Sequence, residues 1–450
     1  MSFVQIFYAR PPVPGQVKTR LAEFLGDTRA CELYARILSE MFRRFAGQKY
    51  EVHSASDTNI FLLQQYTPNE IYIQQGRDLG ERMAHSLFRA AERSSVSAET
   101  PLLLTGTDIP LYNAEVAHAA ARLLKENDTV LGPASDGGYY LIGMRAELAA
   151  QREKVLRLLA DINWSTSTVY AQQQDRLRRA GLSVAGLPTM NDLDTFSDLM
   201  HARNLNGFYL HAFIPDIRVI LPVYNEAENL EYVLRPLIAS HMFREIICAD
   251  NGSTDDSPVI ARSLGCHVTR CAERGYGATC LEAMRHIEAQ GGCDVILFMD
   301  ADGSDDPAHL SELLAPLVSN RADMVLGHRA ADMAEAGALL PHQRFGNWLS
   351  TFLIRIFWKH AYADLGPFRG LRWSALRQLQ MRDRNFGWTV EMQIRALKAK
   401  LRILEIPVRY RRRHAGRSKV TATVRGSFRA GQIILTTVFR ELWQAVRRRD

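Results

Sequence analysis

The stretch VILFMDADGSDDP, residues 295–307, places the pattern of a buried strand directly before a group of acids. Its first five residues are apolar, as expected for a strand covered on both faces. Asp300 and Asp302 follow at once, and two carboxylates one residue apart at a strand end can turn toward one hard cation. Asp300 and Asp302 are therefore candidate ligands of Mg²⁺ or Mn²⁺, with a solvated acidic turn as the alternative. Asp305 and Asp306 have the context of a solvated turn that caps the next helix.

Similar strand patterns recur on both sides of this stretch. Residues 3–9 (FVQIFYA) and 217–224 (IRVILPVY) each begin a series in which apolar strands alternate with amphipathic helices. This alternation predicts an α/β fold with two mostly parallel sheets flanked by helices, and ligands in such sheets bind at the carboxyl ends of the strands. We expect a first domain over residues 1–210 and a second over 211–450.

Composition excludes several classes of protein. The 450 residues are 47% hydrophobic, which suits a globular chain with two or three cores. Since the apolar runs fall short of the roughly 20 residues that span a bilayer, we expect no spanning segment. The six cysteines show no CxxC spacing, and the first residues lack the pattern of a secretory signal, so we expect a reduced, cytoplasmic protein without structural zinc.

Positive charge is concentrated toward the C-terminus. Residues 401–450 hold 13 basic side chains and three acidic ones. This segment could lie on an anionic membrane surface as an amphipathic helix, which would make the protein peripheral on the inner face of a membrane, or it could be a core helix with a basic end. No helix-turn-helix, RNA-binding or OB signature accompanies it, so nucleic acid is not expected as a partner.

Two further strand ends in the second half carry acids and amides, in LPVYNEAENL (221–230) and ADNGSTDDS (249–257). Together with DADGSDDP, these motifs resemble the family-two inverting glycosyltransferases, in particular the branch of dolichol-phosphate mannose synthase and its polyprenyl-phosphate relatives. The resemblance covers about residues 216–440. It implies a GT-A type domain that takes a nucleotide-diphosphate sugar as donor and Mg²⁺ or Mn²⁺ as cofactor.

The resemblance also implies roles for individual residues. Pro222, Tyr224 and Glu226 would frame the base and ribose of the nucleotide, and Asp250 would hydrogen-bond the base. Either uridine or guanosine is compatible with that carboxylate, because both bases present N–H donors. Asp300 and Asp302 would form the metal and diphosphate site.

Later segments complete the implied site. FGWTVEMQIRA (386–396) resembles the helix that presents an acid at the reacting sugar, here Glu391, and YRRRHAGRSKV (410–420) resembles the phosphate-clamping loop. The clamping residues would be Arg411, Arg413, Arg417, Ser418 and Lys419, of which Arg417 and Lys419 would neutralise the leaving group.

The acceptor is open from sequence alone. An ionised phosphate acceptor needs little base catalysis, whereas a hydroxyl acceptor needs a carboxylate, for which Glu391 and Asp302 are both candidates. The sequence reads DADGS where the polyprenyl-phosphate enzymes usually carry DADxQ, so the acceptor stays open between a lipid-linked and a small phosphorylated compound.

The first half has its own basic loop, ARPPVPGQVKTRLAEFLG (9–26), before a helix that we expect to begin near Thr28. Gly15, Lys18 and Arg20 could offer backbone N–H groups and positive charge to a triphosphate. An ordinary basic loop is an equally good interpretation of this stretch alone.

Three later motifs of the first half are LLLTGTDIP (102–110), GPASDGGYYLIG (132–143) and MNDLDTFSDL (190–199). They supply acids and glycines at predicted strand ends: Asp108, Asp136, Gly137, Gly138, Asn191, Asp192 and Asp194. The glycines would allow a ligand to approach closely. With the basic loop, the motifs resemble a domain of unknown function related to phospholactate guanylyltransferases and sugar-phosphate nucleotidyltransferases.

That second resemblance implies that Lys18 and Arg20 bind the phosphates of a nucleoside triphosphate and that Asp108 and Asp194 hold magnesium. The loop with Asp136, Gly137 and Gly138 would contact the group that accepts the nucleotide. The sequence thus indicates a bifunctional transferase. The alternative is a glycosyltransferase whose first domain only binds a nucleotide or substrate.

Other patterns predict structure rather than chemistry. The histidines His53, His85, His118, His241 and His309 lack ligand spacing, so core or surface positions are expected for them. The aromatic residues of FGNWLSTFLIRIFW (345–358) recur at helical spacing, which favours a core helix or one that lines the acceptor site.

Overall fold

The computed structural model describes residues 2–93, 95–205, 208–335, 337–338, 341–416, 432–433 and 435–443. The chain divides into two compact units, residues 1–214 and residues 215–450. Each unit holds one seven-stranded sheet.

In the first unit, strands and helices alternate through most of the chain. Its strands are β1 (Val4–Ala9), β2 (Tyr50–Ser54), β3 (Ile71–Ile73), β4 (Pro101–Gly106), β5 (Thr129–Pro133), β6 (Tyr139–Arg145) and β7 (Val184–Gly186). Its α-helices are α1 (Thr19–Leu25), α2 (Asp27–Arg44), α3 (Phe61–Gln64), α4 (Leu79–Ala91), α5 (Ala114–Leu123), α6 (Ala146–Ala149), α7 (Arg152–Leu159), α8 (Val169–Arg179) and α9 (Phe196–His201).

The second unit repeats this alternation. Its strands are β8 (Ile217–Val223), β9 (Glu245–Asp250), β10 (His267–Arg270), β11 (Val295–Phe298), β12 (Met324–Ala334), β13 (Arg369–Arg372) and β14 (Ile403–Tyr410). Its α-helices are α10 (Ala227–Ala239), α11 (Ser257–Ser263), α12 (Tyr276–Ala289), α13 (Leu310–Val318), α14 (Pro341–Trp358), α15 (Trp373–Leu379) and α16 (Trp388–Lys398), and residues 435–443 are also helical.

The two sheets have the same topology. The strand order is β3-β2-β1-β4-β6-β5-β7 in the first unit and β10-β9-β8-β11-β13-β12-β14 in the second. Only β6 and β13 run antiparallel to their neighbours. The expected α/β fold with two mostly parallel sheets is confirmed, and the carboxyl ends of six strands meet at one edge of each sheet.

Apolar strand residues form the core between sheet and helices. In the second unit, Ile220, Ile247, Ile296 and Phe298 are buried against Trp388 of α16. A comparable cluster in the first unit packs its central strands against α4 and α7. These apolar positions lie between sheet and helices, and the acids singled out at Asp300 and Asp302 lie beyond the end of β11.

Two local details of the fold concern segments that border the sites. The helix expected to begin near Thr28 is confirmed as α2, which starts at Asp27; a short additional helix, α1, precedes it from Thr19, directly after Lys18. At the start of α12, Gly275 has a φ of +152°, and a Cβ there would come within 2.0 Å of the carbonyl oxygen of Arg384. Glycine is therefore required where this helix meets the 383–385 backbone.

Within the described ranges, no helix combines the length and hydropathy needed to cross a bilayer. All six cysteines are free thiols.

Candidate active sites

A cavity of about 500 Å³ lies at the carboxyl ends of the second sheet's strands. The loops after β8, β11 and β14 contribute the residues that the sequence singled out. Those that line the cavity are Pro222, Tyr224, Glu226, Asp300, Asp302 and Arg413. The structure therefore brings together one group from each of three separated motifs.

The two acids after β11 have different surroundings. Asp302 accepts hydrogen bonds from the backbone N–H (3.0 Å) and hydroxyl (2.5 Å) of Ser304, and its second oxygen lies 3.1 Å from Arg413. Asp300 has one weak side-chain contact, from the hydroxyl of Tyr276 at 3.4 Å. Burial and the nearby charge of Asp302 raise the pKa of Asp300 to about 7.

Arg413 closes the cavity by bridging two acids from different loops. Its guanidinium contacts Asp302 and also pairs with the carboxylate of Glu226. Glu226 in turn accepts a hydrogen bond from Asn229, whose amide oxygen accepts from the backbone N–H of Ala415. The clamping loop is thus held over the acids by charge and by backbone contacts.

The donor set fits a hard divalent cation. Asp300 and Asp302 offer carboxylate oxygens, which Mg²⁺ and Mn²⁺ prefer. Burial and the charge of Asp302 raise the pKa of Asp300, and a divalent cation bound here would favour its ionised form. The described residues therefore suit the cofactor expected from the sequence.

The later two acids of the DADGSDDP motif are not solvated, contrary to expectation. Asp305 and Asp306 are each 2% exposed. Asp305 accepts a hydrogen bond from the backbone N–H of Asp300 at 3.0 Å, which orients that residue. Asp306 does cap the following turn, through the N–H of Ala308, and also pairs with Arg411 at 2.8 Å.

Three predicted residues do not line this cavity. Asp250 is buried and accepts a hydrogen bond from the N–H of Ser253, and the neighbouring Asn251 reaches the cavity instead. Arg411 is directed to Asp306 and the hydroxyl of Tyr232. Both side chains therefore support the loops that form the cavity.

The third predicted residue that does not line the cavity is Glu391. Its position corrects the expectation that it acts at the reacting sugar. Its side chain is fully buried, accepts hydrogen bonds from the N–H groups of Arg382 and Asp383, and pairs with Arg395 at 2.8 Å. The helix α16 instead presents Thr389 to the cavity. Helical periodicity explains this outcome, since residues two positions apart point to different faces.

Several cavity residues escaped the sequence analysis. Arg329, after the buried part of β12, is held by a bidentate pair with Asp364 at 2.6 and 2.7 Å. Arg274 donates to the hydroxyl of Tyr224 at 2.9 Å and lies over its ring. The available signal for Arg329 was a basic residue late in β12, just after the buried part of that strand.

Arg417, Ser418 and Lys419 lie outside the described residues, as does most of the basic C-terminal segment.

The first unit has a cavity of about 480 Å³ at the equivalent strand ends. Of the predicted residues, Lys18, Arg20, Asp108, Asp136, Gly138 and Asp194 line it. Arg10 and Arg82, which the sequence analysis did not single out, add positive charge.

Lys18 lies between the two acids that were expected to hold magnesium. Its ammonium is 2.5 Å from Asp108 and 2.9 Å from Asp194. Burial alone lowers the pKa of Lys18, but the two carboxylates outweigh it, so the pKa lies above its ordinary value. In this state Lys18 neutralises the acid pair, and its expected role in binding phosphates stays a prediction.

Gly137 is required by the chain's own packing. A Cβ at Gly137, whose φ is +89°, would come within 2.1 Å of the carbonyl oxygen of Ser167, whereas Gly138 lines the cavity. Gly15 is exposed and does not line the cavity.

The acids of this unit also affect one another. Burial, with the charges of Asp136 and Asp194, raises the pKa of Asp192 to about 6.

A separate feature of the second unit is an exposed aromatic face on two helices. On α14, Phe345, Trp348 and Phe352 are 61%, 56% and 44% exposed, and Phe439 of the helical stretch 435–443 contacts Phe357. These aromatic residues therefore do not belong to the core. Helix α14 contains two arginines and no acid, and its Asn347 accepts a hydrogen bond from the N–H of the cavity residue Leu365.

Two family profiles match this chain. Residues 218–379 match glycosyl transferase family 2, and residues 47–166 match an uncharacterised family conserved in bacteria, DUF2064. Each match falls within one structural unit and includes acids of its cavity.

Individual relatives agree with the profiles. An uncharacterised glycosyltransferase of Mycobacterium tuberculosis is 33% identical over 212 residues, which is 47% of this chain and 92% of that protein. An undecaprenyl-phosphate mannosyltransferase of Micrococcus luteus is 26% identical over 220 residues, 47% of this chain and 89% of that protein. Among solved structures, a protein of Desulfovibrio desulfuricans assigned as a nucleotide-diphospho-sugar transferase is 32% identical, with a TM-score of 0.41, over 46% of this chain and 90% of that one.

The raised pKa of Asp300 predicts a pH-dependent metal site. Because a ligand carboxylate must be ionised, protons compete with the metal below about pH 7, and apparent Mn²⁺ affinity should fall by up to tenfold per pH unit there. Titration calorimetry of the full chain from pH 5.5 to 8 measures this dependence. Affinity that stays constant over that range would contradict it.

The same shift gives a second readout in the metal-free protein. Since the unfolded carboxyl ionises near pH 4 and the folded one near 7, ionisation of Asp300 costs stability as pH rises through that window. Asp300→Asn should therefore raise the midpoint of thermal unfolding more at pH 8 than at pH 5.

Proposed function

The chain belongs to glycosyl transferase family 2, and from that premise we propose that residues 215–450 transfer a sugar from a nucleoside-diphosphate donor to a phosphate-bearing, lipid-linked acceptor. The observation that carries the proposal is the convergence of Asp300, Asp302 and Arg413 in one cavity at the carboxyl ends of the strands. Paired acids and an arginine are the groups that a diphosphate leaving group requires.

The donor would lie along the loops after β8 and β9. Tyr224, held by Arg274, offers an aromatic surface for the base, and Glu226 offers a carboxylate for the ribose hydroxyls. Pro222 forms the adjacent wall, and Asn251 replaces the buried Asp250 as the polar group that reaches the cavity. Uridine and guanosine donors both suit this lining.

The reaction would be a single displacement. The acceptor oxygen forms a bond to the anomeric carbon as the bond from that carbon to the diphosphate breaks, and the nucleoside diphosphate leaves with the electron pair. Mg²⁺ or Mn²⁺ bound by Asp300 and Asp302 would neutralise the diphosphate. Arg413 then has a new anionic partner to which it can turn from Asp302.

An ionised phosphate acceptor removes the need for a strong base. This agrees with the burial of Glu391, which leaves Asp302 as the remaining candidate carboxylate for a hydroxyl acceptor. Since Asp302 is engaged by Ser304 and Arg413, the structure favours the phosphate acceptor.

The lipid-linked form of that acceptor is supported by the aromatic face of α14 and residues 435–443. Exposed Trp and Phe beside Arg344 and Arg355 are typical of a helix that lies in the membrane interface. Asn347 of the same helix accepts a hydrogen bond from the N–H of the cavity residue Leu365, which supports a position of α14 beside the cavity. A relative is named an undecaprenyl-phosphate mannosyltransferase, and that similarity points to the same class of acceptor.

For residues 1–214 we propose nucleotidyl transfer to a phosphorylated small molecule, with a nucleoside triphosphate and Mg²⁺. A triphosphate would meet Arg20 and the cavity arginines, and Lys18 would move from Asp108 and Asp194 to its phosphates as the metal takes its place. The alternative is a binding module that holds a nucleotide or substrate for the second unit.

The glycosyl transfer is tested with the full chain, UDP- and GDP-sugars, Mn²⁺ and vesicles that contain polyprenyl phosphate. Asp302→Asn should lower product formation at least 100-fold, because it removes a metal ligand and the partner of Arg413. Glu288→Gln, an exposed carboxylate outside the cavity, is the matched control. Equal activity of the two variants would contradict the assigned site.

The membrane face is tested by flotation with vesicles that contain anionic phospholipid. Trp348→Ser with Phe352→Ser should reduce flotation and turnover of the lipid acceptor, while hydrolysis of the donor sugar continues. Phe61→Ser, 57% exposed in the first unit, is the control. Flotation equal to that of the unmodified chain would refute the membrane face and leave the glycosyl transfer itself standing.

The first unit is tested by pyrophosphate release from each nucleoside triphosphate with a panel of phosphorylated compounds. Release should require Mg²⁺ and be lost in Asp108→Asn. If the chain binds nucleotide but no combination of triphosphate and phosphorylated compound releases pyrophosphate, the first unit is a binding module.

A further inference from the structure

Three side chains of the second unit converge at the edge of the sheet opposite the nucleotide cavity. Glu245 is the first residue of β9, His267 is the first residue of the edge strand β10, and His286 lies in the last turn of α12. Because β9 rises about 3.3 Å per residue, Glu245 lies about 17 Å from the strand end near the cavity. We propose that Glu245, His267 and His286 form a binding site for Zn²⁺ or a similar divalent transition metal.

The ligand atoms are already close to coordination distance of each other. A carboxylate oxygen of Glu245 lies 2.9 Å from Nε2 of His286 and 3.8 Å from Nδ1 of His267. The three ligand atoms lie within 4.8 Å of one another. Tetrahedral zinc with bonds of about 2.0–2.1 Å separates its ligands by about 3.3 Å, so the present spacing of the ligand atoms is close to that of a zinc site, and rotation of an imidazole ring would complete it.

Two groups compete for Nε2 of His286. Nε2 of His286 lies 2.9 Å from the Glu245 oxygen and 2.9 Å from the amide nitrogen of Gln290. The orientation of that amide is set by Arg218, which donates to its oxygen at 2.5 Å. If Nε2 accepts from Gln290, it has no proton for Glu245; if it is protonated, it opposes the amide N–H. A metal ion accepts lone pairs from both Nε2 and the carboxylate.

One ligand of the site is already held in place. Arg218, 2% exposed, donates to the second oxygen of Glu245 at 3.1 Å and fixes that carboxylate. The two imidazole rings are stacked, with centroids 3.8 Å apart and planes 14° apart, so one ring has to turn before both ring nitrogens point at the same ion. His267 is 40% exposed, which leaves room for water as a fourth ligand. Two imidazoles and one carboxylate are a set that zinc accepts.

An ion here would join the edge strand, its neighbour and the end of α12. The start of the same helix, at Gly275 and Tyr276, lines the nucleotide cavity. The site would thus stabilise the part of the sheet that holds the donor, without contact with the reacting groups.

The experiment measures zinc binding to the metal-stripped full chain in the presence of millimolar Mg²⁺. We expect one Zn²⁺ per chain, bound at least tenfold more weakly by His267→Gln and by His286→Gln. His201→Gln, an exposed histidine of the first unit, and Asp300→Asn should bind as the unmodified chain does. Zinc should also raise the thermal unfolding midpoint of the unmodified chain and not of the two cluster variants.

Cobalt substitution in the unmodified chain keeps the proposal testable if a variant fails to fold. A visible spectrum of tetrahedral Co²⁺ with nitrogen and oxygen ligands supports it. Unchanged zinc affinity in both cluster variants would overturn the proposal. A thiolate-to-cobalt absorption band would also overturn it, because it would assign the ion to cysteines.

Discussion

The ion pairs that Arg413 makes with Asp302 and Glu226 balance the negative charge at the edge of the second sheet. Four acids follow β11, and two of them, Asp300 and Asp305, have raised pKa values because they are buried beside other carboxylates. Acids held this close together cost stability unless cations share the site. Arg413, in the loop after β14, supplies one such cation. A divalent metal bound together with the diphosphate would supply further positive charge beside Asp300.

The first unit meets the same constraint with the same topology and a different residue. There, Lys18 follows the first strand and pairs with acids that follow β4 and β7. In the second unit the cation follows the last strand and pairs with acids that follow β8 and β11. In both units, the same sheet topology thus brings together two acids and one cation, each from a different loop. Such a charge-balanced cluster can exchange its internal cation for a metal and phosphates, which is the common basis of both proposed activities.

The parts that the sequence could predict follow from periodicity. Apolar runs identify β8 and β11 and therefore place Glu226, Asp300 and Asp302 at one edge. Contacts made between loops were not accessible in this way: Lys18 between two acids, or Arg329 fixed by Asp364. Helix faces were also hard to predict: α16 buries the acid expected in the site, and α14 exposes aromatic residues for which a core or an acceptor-lining position was expected. The cluster of Glu245, His267 and His286 draws one ligand from each of three elements, so no local spacing revealed it.

The central claim is that Asp300 and Asp302 bind a cation that displaces the internal pair with Arg413. A crystal structure of the full chain soaked with Mn²⁺ and a nucleoside diphosphate tests it most directly. The account predicts an anomalous peak between the two carboxylates and the guanidinium of Arg413 turned from Asp302 to a phosphate. Nucleotide bound elsewhere, or bound in this cavity with no manganese and the Arg413–Asp302 pair intact, would contradict it.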